Sequence, residues 1–334
     1  MDWSKGFTAT YYVMKVDSTT WRDVERFEIT DGSISKEESG LRVSADLTCK
    51  KYEQDIEQWI RVYLDAKQNG TITHVPLFTG LATSPKKDLE GRFITTPLEC
   101  YSVLKPCQDV LLQRGWYAPA EISCGNILKN LLSVTPAGVE IGDNIPSLTR
   151  AIIAEDGESN LSMVEKILNS INWRMRLSGD GTIYIEPKPS SVSVAFDALE
   201  NDSIETNVSM ERDMFSCPNV FSAISDDLSA IARDDNPNSI VSTVSRGREI
   251  WMEETDCDLA DNESVADYAL RRLKEEQQIA TSVSYDRRFF PDIEIGDLIR
   301  MHYPEQGIDG IFQVSSQSIS LGYGCKTSEE VKSV

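Results

Sequence analysis

The sequence has few of the residues and patterns on which enzymes depend. Its two histidines are His74 and His302, and it has no G-x-G-x-x-G, P-loop, H-E-x-x-H, G-x-S-x-G or EF-hand pattern. The frames that usually hold phosphates, zinc, calcium or an activated serine are therefore missing. Each histidine alternates with apolar residues in a strand-like segment, which is more typical of a structural side chain than of a general base. We expect no catalytic residue and no cofactor.

Disulfide, zinc and membrane signals are also missing. The seven cysteines are odd in number, scattered and never spaced C-x-x-C, so we expect reduced thiols and no bound metal. No run of about 18 apolar residues occurs, and the stretch MDWSKGF has no apolar signal core. The sequence therefore predicts a chain made in a cytoplasm, without a membrane anchor.

Basic residues are the other deficit. The 334 residues include 33 Lys and Arg against 54 Asp and Glu, which gives a formal charge of −21. Such a surface repels phosphate backbones and anionic membranes, so tight binding of nucleic acid is disfavoured. The hydrophobic fraction of 40% is that of a globular protein, and the length suffices for two or three domains.

Two functional classes stay open at this point, a cell-wall hydrolase and a carbohydrate-binding module. A glycosidase needs two carboxylates, but the adjacent pairs Asp226-Asp227, Asp234-Asp235 and Glu253-Glu254 either point to opposite strand faces or mark solvated turns. Exposed aromatics would serve a carbohydrate module, yet residues such as Trp59 and Trp251 fall within strand patterns typical of core or interface positions.

The chain divides into three parts by its pattern of predicted helices and strands. Residues 1–104 predict about six strands and no helix, with a hairpin at Asn69-Gly70. Residues 105–190 predict helices and then a hairpin that turns at Asp180-Gly181. The helix within SNLSMVEKILNSIN has apolar residues at helical spacing, and Ser162 with Glu165 suggests a capping box.

Residues 191–334 predict strands again, with one helix. The segments SVSVAF, NVFSAIS and SIVSTVS predict strands, whereas DDLSAIARDDNPNS predicts a loop from its Asp, Asn and Pro content. The segment SVADYALRRLKEEQQIA predicts an amphipathic helix. After it, DIEIGDLIRMHY predicts a strand that is interrupted at Gly296-Asp297 and then resumes. The fold class is therefore α+β and mostly β.

An acidic connector precedes that helix. It contains six carboxylates and no basic residue, and it reads either as a solvated loop before a helix N-terminus or as a negative surface that a polyanion passes without binding. Its acids are the candidate site residues: Glu253, Glu254, Asp256, Asp258, Asp261 and Glu263.

Taken together, the segments resemble the baseplate hub family of bacteriophage tails. The stretch WIRVYLDAKQNGTITHVPLFTGLATSPKK looks like the strand pair of the first hub domain, and CPNVFSAIS is similar to the opening strand of the second. The run from YALRRLKEEQQIA through PDIEIGDLIRM to GIFQVSS looks like the closing helix, G-D strand and final hairpin of that second domain.

The resemblance implies two tube-like β-barrel or sandwich domains, 1–104 and 191–334, which flank a small α+β domain, 105–190. It also implies a structural subunit, not an enzyme, that forms a homotrimer with a pseudo-six-fold ring and sits in the virion tail after synthesis in the host cytoplasm. Its expected partners are the tail tube or distal tail protein, tail tip, spike or fibre proteins, and a tape-measure protein. DNA would pass through without specific binding, along a ring whose three chains carry a charge of −63, and ring closure would pair exposed strand edges.

Overall fold

The computed structural model describes most of the chain, in two compact units. The described residues are 1–50, 57–83, 88–90, 93–197, 204–212, 214–225, 228–255, 257, 264–277 and 281–334. Unit 1 comprises Met1–Val208 and Ser284–Val331, and unit 2 comprises Ser209–Val283 and Lys332–Val334. Among the described residues, no helix is long and apolar enough to cross a membrane.

The N-terminal part of unit 1 is a closed β-barrel. Its strands are β1 (Thr8–Val16), β2 (Asp23–Glu37), β3 (Val43–Lys50), β4 (Gln58–Gln68), β5 (Thr71–Ala82), β6 (Asp88–Glu90) and β7 (Phe93–Ser102). Neighbours follow the order β1–β4–β5–β7–β3–β2, and β1 pairs again with β2, so the ring of hydrogen bonds is complete. Alternate apolar side chains such as Val13, Val62 and Leu64 fill the interior.

The barrel contains a tight hairpin between β4 and β5 and one long strand, β2, that bonds to different neighbours along its length. β4 and β5 join through Asn69 and Gly70, whose φ angles are 50° and 83°, so the hairpin predicted from the Asn-Gly pair is confirmed. β2 bonds to β1 through its first half, while Ser33–Glu37 bond to a strand near the end of unit 1. Gly32 lies between these two halves. A Cβ there would sit 2.8 Å from the carbonyl oxygen of Asp46, so a side chain would push β3 away.

Residues 103–187 form an α+β element of unit 1 with its own apolar core. In chain order it contains α1 (Lys105–Asp109), β8 (Tyr117–Ala118), α2 (Cys124–Leu132), β9 (Val139–Ile141), β10 (Ile152–Ile153), α3 (Asn160–Ser170), β11 (Trp173–Leu177) and β12 (Ile183–Pro187). β12 lies between β11 and β9, and β11 and β12 form the hairpin predicted at Asp180-Gly181.

The helix predicted within SNLSMVEKILNSIN is confirmed as α3, but its cap differs from the prediction. Ser159 is the N-cap, and its Oγ accepts a hydrogen bond from the backbone N–H of Ser162 at 3.1 Å. The predicted capping box of Ser162 with Glu165 is wrong, because Ser162 already lies inside the first turn.

The remaining elements complete both units. They are β13 (Val192–Asp197), β14 (Ile204–Arg212), β15 (Val220–Ser225), β16 (Leu228–Arg233), α4 (Thr243–Arg246), β17 (Trp251–Thr255), α5 (Val265–Glu276), β18 (Thr281–Arg287), β19 (Leu298–Tyr303), β20 (Ile308–Ser320) and β21 (Thr327–Ser333). β19 lies between β13 and β20, and the order continues β20–β21–β18–β14. Because Ser33 pairs with Ser320, this sheet is continuous with the N-terminal barrel.

Unit 2 contains the three-stranded sheet β16–β15–β17 with α5 on one face. Phe221 of β15 packs against Ala269 and Leu273 of the helix, all of them buried. The amphipathic helix predicted in this region is confirmed, and Ser264 caps it by accepting from the backbone N–H of Asp267.

Two short predictions in unit 2 are wrong. The segment predicted as a loop contains β16, which pairs residue by residue with β15, and the run of Asp, Asn and Pro residues that follows begins at Asp234, after the strand has ended. The segment predicted as the strand SIVSTVS instead contains α4, because the hydroxyl of Ser242 accepts from the backbone N–H of Ser245 and starts a helical turn.

Candidate functional site

The predicted channel-facing acids lie in and after β17, and two of them are described. Glu253 is exposed on the sheet face opposite α5, whereas Glu254 is half-buried on the face toward the helix. The other four, Asp256, Asp258, Asp261 and Glu263, lie outside the described residues.

Glu254 is engaged in a local network of unit 2. It accepts a hydrogen bond of 2.6 Å from the Tyr268 hydroxyl and one of 3.1 Å from Nε of Arg272. Burial, together with the bond to this carboxylate, raises the pKa of Tyr268 to about 12. Arg272 also contacts Glu275 and Glu276, and its pKa is raised, foremost by its hydrogen bond to Glu275. Of the two described acids, Glu253 therefore presents the freer carboxylate.

A second constellation lies in unit 1, where the tip of the β11–β12 hairpin meets β5. The Gly179 carbonyl accepts a 2.8 Å hydrogen bond from Oγ1 of Thr79, and that hydroxyl accepts from Nε of the buried Arg61 at 3.0 Å. A Cβ on Gly179 would sit 1.9 Å from the carbonyl oxygen of Pro76. The tip is therefore in backbone-to-backbone contact with the barrel.

The same hairpin is held at its base by the turn before β19. Nη1 of Arg174 donates to the Ile295 carbonyl at 3.1 Å and to Oδ1 of Asp297 at 3.0 Å. Gly296 lies between them with a φ of 82°, and a Cβ there would be 3.0 Å from Nη1 of Arg174. The predicted strand is therefore only partly right: its first half is a turn, and the strand begins at Leu298.

Glu186 balances the charge at this base. It pairs with Arg174 at 2.7 Å and with Arg176 at 3.1 Å. Burial favours the neutral carboxyl, but the hydrogen bonds from Arg176 and Arg174 outweigh it, and the pKa of Glu186 is lowered. The carboxylate is thus held charged in a half-buried site.

A fully buried ion pair lies beside this turn, between β18 and β21. Arg287 contacts Glu329, and Glu329 also accepts hydrogen bonds of 2.6 Å from the Tyr285 hydroxyl and from Nε2 of Gln317. Gln317 donates in addition to the Ile293 carbonyl at 2.9 Å. Burial and the Glu329 charge raise the pKa of Tyr285. These bonds connect β18, β20 and β21, while Nε of Arg287 has no hydrogen-bond partner among the described residues.

Each histidine lies beside a carboxylate. Nδ1 of His74 is 2.6 Å from Asp65, and Nδ1 of His302 is 3.2 Å from Asp309. In the described part of the chain, no cluster of His, Cys, Asp and Glu is suited to a metal ion. All seven cysteines are buried, and burial raises the pKa of Cys107 to about 11.

No family model matches the sequence, and no curated protein matches it. Solved structures do match. The tail protein from Neisseria meningitidis MC58 superposes with a TM-score of 0.68 and 16% identity over 98% of this chain and 97% of that one. The 43 kDa tail protein of prophage MuSo2 from Shewanella oneidensis gives 0.66 and 13% over 97% and 98%. The chain has the fold of phage tail proteins.

A more distant match has the same fold over a smaller share of its length. It is the E. coli c3393 protein, described as a component of the type VI secretion system with structural similarity to T4 bacteriophage tail proteins gp27 and gp5. Its TM-score is 0.51 at 7% identity, over 91% of this chain and 73% of that one. The resemblance to phage tail proteins is thus confirmed at the level of the fold.

The residues that brace the hairpin were missed by sequence reasoning. Gly181 is predicted only as part of the Asp180-Gly181 turn and Gly179 is not singled out, and nothing nearby in sequence indicates that Pro76 and Thr79 face them. Arg174 alternates with apolar residues and reads as a solvent-facing strand residue. Since Ile295 and Asp297 lie about 120 residues away, no local pattern could have revealed these contacts.

Proposed function

We propose that this chain is a structural baseplate hub subunit of a phage tail, which forms a homotrimeric ring between the six-fold tail tube or distal tail ring and a three-fold tip or spike. The observation that carries the proposal is the fold likeness to a phage tail protein over 98% of the chain. On this reading the division into domains 1–104, 105–190 and 191–334 separates two ring-forming β domains from an α+β domain between them.

The architecture of the chain suits a ring that joins a six-fold neighbour to a three-fold one. One chain carries two β structures, and in unit 1 they are joined by the Ser33–Ser320 pairing. Three copies would therefore supply six β structures, which suits a six-fold neighbour on one side and a three-fold neighbour on the other.

The closed barrel limits which strands can pair between chains of the ring. Ring closure was expected to pair exposed strand edges, but β1 of the N-terminal barrel bonds to both β2 and β4. This barrel is already closed, so its contribution to a ring is a side-chain interface. Strands that bond to one neighbour among the described residues, such as β13, β16 and β17, have an edge that could pair with a strand of another chain.

We further propose that DNA passes through the ring without specific binding and that the acidic connector faces the passage. The charge of −21 per chain supports this, because a wall that forms few phosphate contacts does not retain DNA. Glu253, exposed and near the start of the connector, is the described residue that best fits this role.

Co-assembly tests the hub proposal. The purified chain should form a complex with tail tube or distal tail protein, and electron microscopy of that complex should show three copies around one axis. A complex with another stoichiometry, or none with either protein, would contradict it. The map would also locate Glu253, and a position on the outer rim would exclude a role in the passage.

Measurement of peptidoglycan turnover separates the enzymatic alternative. A structural subunit should release no more muropeptide than a buffer control at any concentration. The charge-removing variants Asp65→Asn and Asp309→Asn, each beside a histidine, serve as controls. Turnover that falls in either variant would support a hydrolase instead.

A further inference from the structure

Tyr323 is the most exposed aromatic side chain among the described residues. It lies in the turn between β20 and β21, flanked by Gly322 and by Gly324, whose φ is 73°. Its phenol ring has no hydrogen bond, ion pair or ring contact with any described residue. By contrast, the exposed Phe215 lies 4.3 Å from the Arg248 guanidinium in unit 2.

The backbone on either side of Tyr323 is firmly held. Leu321 is buried, and its N–H donates to the Gly32 carbonyl at 2.9 Å. The Gly322 carbonyl accepts a 2.8 Å hydrogen bond from the Tyr11 hydroxyl, and Cys325 is fully buried. The aromatic ring is therefore displayed on a fixed support, so a partner that covers it pays little conformational entropy.

An open depression of about 640 Å³ lies next to this support, on the outer face of β2, β3 and β7. Ser320, Ser33, Asp46 and Glu99 form one row across β20, β2, β3 and β7. Asp31 also lines the depression, two residues before Ser33 on β2. The small serine side chains leave room for another backbone to approach.

The charges of this face are unbalanced. Asp46 and Glu99 are directly opposite each other on antiparallel strands, an arrangement that costs stability. Asp31 and Asp46 are exposed, and neither has an ion-pair partner among the residues that the structure describes. Glu99 accepts a hydrogen bond from the Tyr101 hydroxyl and has no basic partner among the described residues.

We infer that Tyr323 and the adjacent face of Asp31, Asp46 and Glu99 form a docking surface for a different protein, one that offers an apolar pocket rimmed by Lys or Arg. Charge complementarity favours a basic partner over a second copy of this chain, because three carboxylates attract Lys and Arg and the chain itself carries a net charge of −21. The inference rests on the proposed function in one respect: the partner is a neighbouring protein of the assembled tail.

Photo-crosslinking in assembled tails tests this surface. Tyr323→p-benzoyl-phenylalanine should crosslink, on irradiation, to a Lys- or Arg-containing segment of another tail protein, identified by mass spectrometry. Crosslinks to a second copy of this chain, to DNA, or to nothing would overturn the inference. Absence of the chain from tails would overturn the proposed function as well, and immunoblotting of purified tails measures that separately.

Competition for incorporation gives a second readout. Wild-type and variant chains are supplied together, and their ratio in purified tails is measured. Tyr323→Ser should reduce affinity for the partner about thirtyfold, the loss typical of a central aromatic anchor, while Tyr323→Phe stays close to wild type. Asp31→Lys should also be excluded, whereas the control Asp143→Lys, at an exposed position elsewhere, should not be. Equal incorporation of Tyr323→Ser and wild type would refute the anchor.

Discussion

The contact between Gly179 and β5 leads to a sharp prediction. In Gly179→Ala the new methyl group would overlap the Pro76 carbonyl, which is fixed in the β4–β5 ladder and cannot move aside cheaply. Relief of the overlap lifts the hairpin tip and breaks the hydrogen bond from Thr79 to the Gly179 carbonyl.

The magnitude follows from these two effects. Overpacking of a rigid site costs roughly 1–3 kcal/mol, and the lost hydrogen bond costs about 1 kcal/mol more. The free energy of unfolding of unit 1 should therefore fall by about 3 kcal/mol, which lowers the Tm by roughly 6–12 °C in a unit of this size. Thermal and urea unfolding, followed by tryptophan fluorescence, measure both quantities.

Gly138→Ala is the matched control, because a Cβ at Gly138 would meet no atom within 4 Å. It lies in the same α+β element and should change the free energy of unfolding by less than about 0.5 kcal/mol. If Gly179→Ala proves as stable as Gly138→Ala, the hairpin tip is not held in contact with β5.

Three further predictions concern the braced turn and its neighbours. Gly296→Val should impair folding or assembly, because a β-branched residue is strained at a φ of 82°. His302→Gln should leave the free energy of unfolding almost unchanged. Urea titration measures both variants, and a larger loss of stability in His302→Gln than in Gly296→Val would support a functional role for the histidine. Glu329→Gln should cost about 3–5 kcal/mol, because it leaves the buried Arg287 without its counter-charge, and a Tm unchanged from wild type would mean that this pair contributes nothing. The pKa of Glu186 is lowered by folding, so its contribution to stability is present above pH 4.5, the ordinary value, and is lost as the pH falls through the lower folded value. Glu186→Gln should therefore flatten the decline in stability below pH 4.5, and an unchanged slope in urea titrations across that range would contradict the assignment.

Local patterns predicted the elements whose signals are contained in a few neighbouring residues. The Asn69-Gly70 hairpin requires only two residues that tolerate positive φ, and α3 and α5 require only apolar spacing and a serine cap. β16 is not predicted because its core-facing side chains are the small residues Ala230 and Ala232, while its large apolar residues Leu228 and Ile231 are exposed.

Features that depend on distant parts of the chain were beyond sequence reasoning. Closure of the barrel depends on the register of β1 against both β2 and β4. The necessity of glycine at position 179 arises from Pro76, about 100 residues away. Burial of Arg287 depends on Glu329 in a neighbouring strand, and a charged residue in isolation predicts exposure. Of the predicted acidic site, the structure describes Glu253 and Glu254 and leaves the role of the connector a prediction.

The pairing of Ser33 with Ser320 has a consequence for the order of folding during synthesis. The strands of the N-terminal barrel are all complete by Ser102, so the barrel can close while most of the chain is still untranslated. The second half of β2 nevertheless keeps an unpaired edge until β20 emerges, an interval of roughly 10–40 s between Ser102 and Ile308 at about 5–20 residues per second. During that interval each nascent chain presents an edge that another chain can pair with, so premature release before Ile308 converts a folding intermediate into a nucleus for aggregation.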